Sequence, residues 1–376
     1  MMPTVHTEQS QNKADRSRAG IYYWKCDRPA GLHNVAQATA ADRAGVPPHL
    51  EAFLSGAFPA LTGLRSAGGK GNHRTYFLEV GTTVYFVRVE DGPERDAHID
   101  VESLVITEVG KSGVPVPQVY FSDGSRRQVP FAVQVIEYFD CPDLNQLYRD
   151  NRLPLVETAA NIGTAIARWQ TVPVAGFGPF DSEAAAGGLL KGYHRSYAFY
   201  FQLHLERHLA ILVAEQFISG DEEVSIRSVI DANAELLNID TGCLVHKDLA
   251  FWNIMGTPDK IRAFIDWDDA IAGDPTDDLS LLACFHPYAV VQAALTGYER
   301  IRPLPDRFLE RFWLHLLRNM IVKAVIRCGA GYFRATTGGA FLMASGQSGE
   351  NFRAFTRDRL LTALRGLKGE GVLTDL

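Results

Sequence analysis

The sequence predicts an α+β fold of two lobes, in which a small β-rich N-terminal lobe precedes a larger helical C-terminal lobe. Two patterns indicate this order. Residues 61–137 contain short alternating runs of β-branched and aromatic residues around one helical pattern, whereas helical periodicity dominates from Asp143 onward. We therefore predict a polar N-terminal extension at 1–45, an N-lobe at 46–140 and a C-lobe at 141–376.

The strands of the predicted N-lobe surround a single helix. The runs RTYFLEV and TVYFVRV alternate in polarity and are joined by a turn at Gly81, which predicts a β-hairpin. A helical pattern follows from Asp100 to about Lys111, and Gly113 and Pro115 prevent its continuation. The segments QVYF and PFAVQVIEYF then predict two more strands.

The predicted C-lobe consists mainly of helices. The 3.6-residue period is present at 155–170, 191–217, 221–237, 287–298 and 306–327. Residues 242–279 interrupt this pattern, because they are rich in strand and turn residues and densely acidic.

Composition excludes several classes of function. The net charge of −7 argues against a nucleic-acid partner, whose binding proteins usually carry a basic patch. No window approaches the roughly 18 uninterrupted apolar residues of a membrane helix, and the polar N-terminus does not have the pattern of a signal peptide. The five cysteines form no CxxC pair, so neither a disulfide framework nor a zinc ribbon is indicated. We expect a cytoplasmic protein, and the sequence leaves its oligomeric state open.

The sequence HKDLAFWN carries the most informative pattern. It places His246, Asp248 and Asn253 in the arrangement H-x-D-x-x-x-x-N of kinase catalytic loops, and Asp266 follows Asn253 by thirteen residues. Phosphoryl transfer requires an acceptor hydroxyl held in line and metal ions that neutralise the phosphate oxygens. Asp248 can orient and deprotonate the hydroxyl, while the oxygens of Asn253 and Asp266 suit Mg²⁺.

Three ordered motifs, HKDLAFWN, IDWDDA and GDPTDDL, resemble those of the aminoglycoside phosphotransferase and choline kinase superfamily. The resemblance implies a protein-kinase-like fold and an ATP-dependent kinase with Asp248 as catalytic base and Asn253 and Asp266 as metal ligands. The chain departs from the family at Lys247, where many members have Gly, and at Asp268, where many have Glu. Neither change removes a required chemical group.

Two residues near the catalytic loop are predicted to support it. His246 is expected to brace the loop through hydrogen bonds rather than take part in the chemistry. Asp278 resembles a family position that mostly braces the same loop, so we assign it a structural role.

The N-lobe is predicted to bind the nucleotide. A turn containing Gly68, Gly69 and Asn72 lets backbone N–H groups approach a phosphate, although the same composition suits an ordinary hairpin turn. Phe86 and Arg88 share a strand face, and Arg88 stands where protein kinases keep a phosphate-binding Lys. The alternative for Arg88 is an exposed strand residue.

The resemblance also implies a partner for Arg88 and a hinge between the lobes. Glu102 lies at the distance from the GVPVP motif that separates the helix glutamate from this motif in the family, so it is the expected ion-pair partner. Glu137 and Tyr138 are predicted to lie at the hinge, where backbone groups meet adenine.

The acceptor is harder to predict. We expect the γ-phosphate of ATP (or GTP), bound with Mg²⁺, to be transferred to a hydroxyl of an aminoglycoside-like or other antibiotic. The segment from Gly176 to Phe180 resembles part of the hygromycin phosphotransferases. Asp268 and Asp269 can attract a cationic amino sugar, but they can equally cap turns and support the metal.

Three alternatives stay open at this point. The chain can be a metabolic or biosynthetic kinase that acts on the hydroxyl of a sugar, a nucleoside or an amino alcohol. It can transfer a nucleotidyl group on the same fold. It can also be a pseudokinase, although the retention of Asp248, Asn253 and Asp266 argues against that.

Overall fold

A computed structural model gives the structure of the chain and describes residues 18–28, 46–47, 49–68, 73–92, 94–334 and 349–376. The first helices and strands are α1 (Trp24–Asp27), α2 (Leu50–Ala57), β1 (Leu61–Ser66), β2 (Arg74–Val80), β3 (Thr83–Glu90), α3 (His98–Lys111), β4 (Val119–Asp123) and β5 (Ala132–Glu137). The five strands form one antiparallel sheet in the order β1-β2-β3-β5-β4. The predicted hairpin is β2 and β3, in which Val80 pairs with Thr83.

Alternation along β3 separates the N-lobe core from the cleft between the lobes. Val87 and Val89 are fully buried and pack with Leu50 and Leu54 of α2. Neighbouring residues point to the opposite face of a strand, so Arg88 projects away from this core. The helix α3 contacts β4, β5 and the segment that follows β10, and it therefore connects the sheet with the C-lobe.

The C-lobe is mainly helical. Its helices are α4 (Leu144–Arg149), α5 (Leu155–Trp169), α6 (Ser182–Ala186), α7 (Tyr197–Gln202), α8 (Leu205–Ala214), α9 (Gly220–Ala232), α10 (Asp277–Ala283), α11 (Tyr288–Glu299), α12 (Phe308–Gly329) and α13 (Gly349–Leu367). Its strands are β6 (Phe177–Phe180), β7 (Gly192–His194), β8 (Cys243–Val245), β9 (Ile254–Thr257), β10 (Lys260–Phe264) and β11 (Ile271–Gly273). Strands β9 and β10 form a hairpin, and the others form a sheet in the order β7-β6-β11-β8.

One predicted helix is wrong as a continuous element. The span 191–217 contains strand β7 and the two separate helices α7 and α8. His204 has a backbone φ of 55°, which lies in the left-handed region and ends the helical path between α7 and α8. The predicted helix at 221–237 ends early at Ala232 and is followed by a short 3-10 turn.

Residues 18–28, which we call the N-terminal segment, are buried between the lobes. Arg18 forms an ion pair with Asp96, which precedes α3, with an Nε–Oδ2 distance of 2.9 Å. At the other end, Asp27 accepts a hydrogen bond from His208 of α8 at 2.8 Å. Tyr22, between them, is only 1% exposed. The sequence places this segment in a polar extension, whereas the structure makes it part of the core.

Within the part of the chain that the structure describes, no helix has the length and apolar character needed to cross a membrane.

Candidate active site

The HKDLAFWN segment forms a loop between β8 and β9 that is shaped by Asp278 on α10. The Asp278 carboxylate accepts hydrogen bonds from the backbone N–H groups of His246 at 2.8 Å and Lys247 at 3.0 Å. It also accepts one from the indole of Trp169 at 3.1 Å. Because three donors converge on one buried carboxylate, the loop is fixed immediately before Asp248.

His246 is the first residue of this loop, and its side chain is fully buried. Its Nε2 is 3.0 Å from the carbonyl oxygen of Ile265, and burial lowers the pKa of the ring to about 4. The ring packs against Trp267, with centroids 4.3 Å apart. The side chain therefore links the catalytic loop to the segment that carries Asp266.

Asp248 is buried in the loop, with four hydrogen-bond donors around its carboxylate. Its Oδ1 accepts from the hydroxyl of Tyr23 at 2.8 Å and the ammonium of Lys323 at 2.9 Å. Its Oδ2 accepts from the ammonium of Lys25 at 2.8 Å and the amide of Asn253 at 3.2 Å. Burial alone would raise the pKa of this carboxyl, but the two ammonium groups outweigh it and hold the pKa well below its usual value.

Asn253 and Asp266 line the cleft from two adjacent segments, since the backbone N–H of Ile265 donates to the carbonyl oxygen of Asn253 at 3.0 Å. Asn253 uses its amide nitrogen to hydrogen-bond the backbone oxygen of Asp248 at 2.8 Å, so its amide oxygen is the atom left for another partner. Asp266 follows β10 and has a left-handed backbone φ of 64°. Its side chain is 34% exposed and lines the cleft.

Negative charge is crowded at Asp266. Burial raises the pKa of this carboxyl to about 7, and the nearby carboxylate of Asp268 adds to the shift despite the opposing charge of Arg88. Asp268 lies beside His73, and among the described residues its Oδ1 is buried without a hydrogen-bond partner. A cation bound between these oxygens would therefore relieve both their burial and their repulsion.

Arg88 connects the N-lobe sheet to the same acidic cluster. Its guanidinium forms an ion pair with Glu102 of α3, and its Nη2 lies 3.3 Å from Oδ1 of Asp266. Glu102 also accepts the backbone N–H of Trp267 at 3.1 Å, immediately after Asp266. Arg88 is 6% exposed, so the alternative of an exposed strand residue does not hold.

These groups line one cleft of about 760 Å³ between the lobes. Phe86, Arg88, Glu102, Glu137 and Tyr138 reach it from the N-lobe and the hinge, and Asp248, Asn253, Asp266 and Asp268 reach it from the C-lobe. The cleft thus has an apolar N-lobe wall beside a floor of charged and amide groups.

Three further predicted site residues belong to the N-lobe turn after β1, and one follows Asp268. Gly68 follows β1 with a φ of 66°, a left-handed conformation that favours glycine. Gly69 and Asn72 fall outside the described residues. Asp269 is 7% exposed and does not line the cleft, and burial, with Asp268 next to it, raises its pKa to about 7.

Sequence reasoning missed three cations and one hydroxyl near Asp248. Lys25 and Tyr23 come from the N-terminal segment, while Lys323 and Arg327 come from α12 and also line the cleft. The sequence offers one signal, which is the aromatic run around Tyr23 in an otherwise polar stretch. Lys323 lies in a helical pattern that predicts core packing and gives no hint of the cleft.

Comparison with known proteins identifies the family. Residues 63–312, about two thirds of the chain, match the family described as "Phosphotransferase enzyme family". The chain belongs to this family. The predicted activity, ATP-dependent transfer of a phosphoryl group to a small molecule, is thereby confirmed, as is the predicted superfamily.

Individual relatives extend this result. The chain is 25% identical to hygromycin-B 4-O-kinase of Escherichia coli over 268 residues, which are 68% of this chain and 72% of that protein. A thermostable mutant of aminoglycoside phosphotransferase APH(4)-Ia, in a ternary complex with ADP and hygromycin B, is structurally similar with a TM-score of 0.60 at 17% identity. That alignment covers 86% of this chain and 100% of the mutant.

A macrolide 2'-phosphotransferase, MphH from Brachybacterium faecium, has a TM-score of 0.51 at 18% identity, with 75% of this chain and 94% of that chain covered. These structures confirm the predicted two-lobed kinase-like fold.

Proposed function

We propose that the chain transfers the γ-phosphoryl group of ATP (or GTP), bound with Mg²⁺, to a hydroxyl of a small molecule held beside Asp248. The supporting observation is that Asp248, Asn253, Asp266 and Arg88, which come from three separate segments, line a single cleft. Each group has a distinct chemical use in phosphoryl transfer.

The N-lobe wall suits a nucleoside triphosphate. Phe86 and Tyr138 offer ring surfaces for a purine, and the hinge at Glu137 offers backbone groups. Arg88, oriented by Glu102, can meet phosphate oxygens with its planar fork. Gly68, with its neighbours Gly69 and Asn72, is proposed to cover the phosphates.

The donor set of Asn253 and Asp266 fits Mg²⁺. Magnesium bound with a nucleotide usually takes one or two carboxylates and several phosphate or water oxygens. The crowded carboxylates of Asp266 and Asp268 are consistent with a bound cation, since a positive charge would lower the pKa of Asp266. Bound there, the ion would neutralise the β- and γ-phosphate oxygens.

Asp248 is proposed to orient the acceptor hydroxyl and take its proton. A bond forms between the acceptor oxygen and the γ-phosphorus while the bond to the β,γ-bridging oxygen breaks, and ADP leaves with that electron pair. The ammonium groups of Lys25 and Lys323 keep Asp248 ionised. A weakly basic carboxylate accepts the proton late, once the attacking oxygen has become acidic by bonding to phosphorus. His246 and Asp278 support the loop during this step.

The likeness to hygromycin-B 4-O-kinase makes an aminoglycoside the first acceptor to examine. Asp268, which lines the cleft, remains a proposed contact for an amino sugar, whereas Asp269 would need to act through its neighbour because it does not line the cleft. A metabolic or biosynthetic hydroxyl kinase is the second candidate, because the family spans different acceptors among the structures similar to this chain.

A product analysis tests this proposal. Purified protein is incubated with Mg·ATP or Mg·GTP and panels of aminoglycosides, nucleosides, sugars and hydroxy acids, and products are identified by mass spectrometry. We expect ADP or GDP together with a phosphorylated acceptor. Formation of pyrophosphate and an AMP-modified acceptor would instead identify nucleotidyl transfer and overturn the proposal.

A further inference from the structure

We propose that Lys25, Lys323 and Arg327 form a binding site for an anionic group of the acceptor, a carboxylate or a phosphate, next to the hydroxyl that is phosphorylated. This inference rests on the proposed phosphoryl transfer, and for the acceptor it favours an anionic compound over the aminoglycoside considered first. It is carried by the position, pairing and burial of these three cations, which line the cleft beside Asp248.

The three cations are held close together. Lys323 and Arg327 are one turn apart on α12 and therefore share a helix face, and both line the cleft. Lys25 reaches the same place from the N-terminal segment, because its ammonium and that of Lys323 bind opposite oxygens of Asp248 at 2.8 and 2.9 Å.

The ammonium groups of Lys25 and Lys323 share the Asp248 carboxylate, and Asp266, Asp268 and Asp269 also lie within electrostatic range of Lys25. The neighbouring Arg327, by contrast, has no acidic partner among the described residues. Its Nη1 donates to the hydroxyl of Thr356 at 2.8 Å, and its guanidinium packs on the ring of Phe352. Arg327 is 4% exposed, and burial lowers its pKa to about 10. A buried guanidinium without a counter-charge is costly, and an anionic ligand would offset that cost.

Lys25 is a fixed part of this wall. The flanking residues Tyr23 and Cys26 are 3% and 1% exposed, and the backbone oxygen of Tyr22 accepts the hydroxyl of Tyr200 at 2.8 Å. The side chain of Lys25 is itself 31% exposed, so it combines an anchored backbone with an accessible ammonium. Such an arrangement preorganises a charge for a ligand.

Apolar and aromatic side chains lie beside these cations. The ring of Phe285 is within 6 Å of both Lys323 and Arg327, and Trp252, Ile326 and Tyr332 line the same cleft. This combination suits an acceptor that carries one or two negative groups on a partly apolar body. A polycationic amino sugar would instead meet like charges at Lys25 and Arg327, which disfavours its binding.

A binding experiment that requires no turnover tests the site. The full chain, with Mg²⁺ and a non-hydrolysable ATP analogue, is titrated with 4-fluorobenzoate and with the neutral 4-fluorobenzamide, and binding is followed by ¹⁹F NMR. We expect the benzoate to bind about 10- to 100-fold more tightly than the amide, as one lost charge-assisted hydrogen bond implies. Hygromycin B is titrated in parallel as the cationic probe.

Variants locate the effect. Lys25→Gln and Arg327→Gln should each remove most of the preference for benzoate, and Arg327→Lys should restore part of it. Lys111→Gln, at a lysine whose side chain is 65% exposed on α3, is the matched control and should change nothing. Because Lys25 is partly exposed, Lys25→Gln keeps the test valid if Arg327→Gln unfolds, which a melting curve detects.

Three results would overturn the inference. The first is equal binding, or no binding, of 4-fluorobenzoate and 4-fluorobenzamide, and the second is tighter binding of hygromycin B than of 4-fluorobenzoate, with a further gain in Lys25→Gln. The third is a loss of nucleotide affinity in the variants while their affinity for 4-fluorobenzoate is unchanged. The last result would assign the cations to the nucleotide phosphates. If the protein transfers phosphate to no acceptor, the proposed function is wrong. The anion titration requires no turnover and therefore still tests the binding site independently.

Discussion

The ammonium of Lys247 lies 2.6 Å from Oδ2 of Asp277, and both side chains are almost completely inaccessible to solvent. Lys247 has a backbone φ of 69°, in the left-handed region that favours glycine, and it replaces the glycine of the family motif it resembles. The ammonium also donates to the hydroxyl of Tyr22 and to Oδ1 of Asn319, each at 3.2 Å. The substitution therefore ties the catalytic loop to α10, α12 and the N-terminal segment.

Replacing Lys247 should destabilise the fold. Lys247→Met leaves the Asp277 carboxylate buried without its main counter-charge, which costs about 3–5 kcal/mol in comparable buried pairs. Lys247→Gly should be destabilised similarly, although it relieves the backbone strain. Urea unfolding measures both. The double variant Lys247→Met, Asp277→Asn should recover part of the loss, and additive losses in the two single variants would show that the pair is not coupled.

Asp248→Asn should reduce the rate and spare nucleotide binding. Removal of a general base costs about 10²–10⁴-fold in turnover, whereas Mg·ATP contacts other groups in the cleft. Since its pKa lies well below the usual value, Asp248 should not produce an acidic limb in the pH–rate profile near neutrality. Steady-state kinetics with a verified acceptor measures both, with Asp259→Asn, at an exposed turn, as the control. Near-normal turnover of the variant would remove Asp248 from the mechanism.

Asp266→Ala should abolish turnover and remove the enhancement of nucleotide binding by Mg²⁺. Its carboxylate and the amide oxygen of Asn253 are the proposed protein ligands of the ion. Calorimetric titration of ATP with and without Mg²⁺ measures the enhancement in the parent protein and in the variant. If the variant keeps the full enhancement, Asp266 does not bind the metal.

Arg88 and Glu102 should act as one unit in nucleotide use. Charge-assisted contacts to phosphate contribute about 1.5–3 kcal/mol each, so Arg88→Ala should raise the KM for ATP by roughly tenfold or more. Arg88→Lys should fall between the parent protein and Arg88→Ala, because it keeps the charge and loses the planar fork. Glu102→Gln should give a milder defect, and the double variant should cost less than the sum. An unchanged KM and kcat in folded Arg88→Ala would contradict this role.

The sequence predicts the parts of this protein whose signals are local. The β2–β3 hairpin follows from two alternating runs around Gly81, and the catalytic loop follows from the spacing of Asp248 and Asn253. Even the ion pair of Arg88 with Glu102 can be anticipated, because the family motif fixes the distance between the helix and the GVPVP sequence.

Contacts between distant parts of the chain leave no such signal. Tyr23 and Lys25 reach Asp248 across 225 and 223 residues, and the aromatic run around Tyr23 does not indicate which part of the chain it contacts. Local conformation can also mislead, since the helical period of 191–217 continues through His204, where the backbone turns into the left-handed region. The packing of the N-terminal segment against α8 and α12 depends on the tertiary fold, so local sequence patterns do not predict it.

Burial of neutral histidines should make the protein less stable in mild acid, and His286 offers the cleanest test. Burial lowers the pKa of His286 from 6.5 to about 3, with Arg359 adding to the shift, and its ring packs against that of Phe251 at 4.1 Å. Between these two pKa values the unfolded chain binds a proton that the folded chain does not. Stability therefore rises with pH in this window and is lost as the pH falls below about 6.5, by up to about 1.4 kcal/mol per pH unit for one histidine. His286→Phe should reduce that slope, which is measured as the difference in the free energy of unfolding between pH 7.5 and pH 5. A change in packing alters the free energy of unfolding equally at both pH values, so it does not affect this difference. His49→Gln, at an exposed position, is the matched control, and an unchanged slope in His286→Phe would show that the pKa of His286 is the same in the folded and unfolded protein.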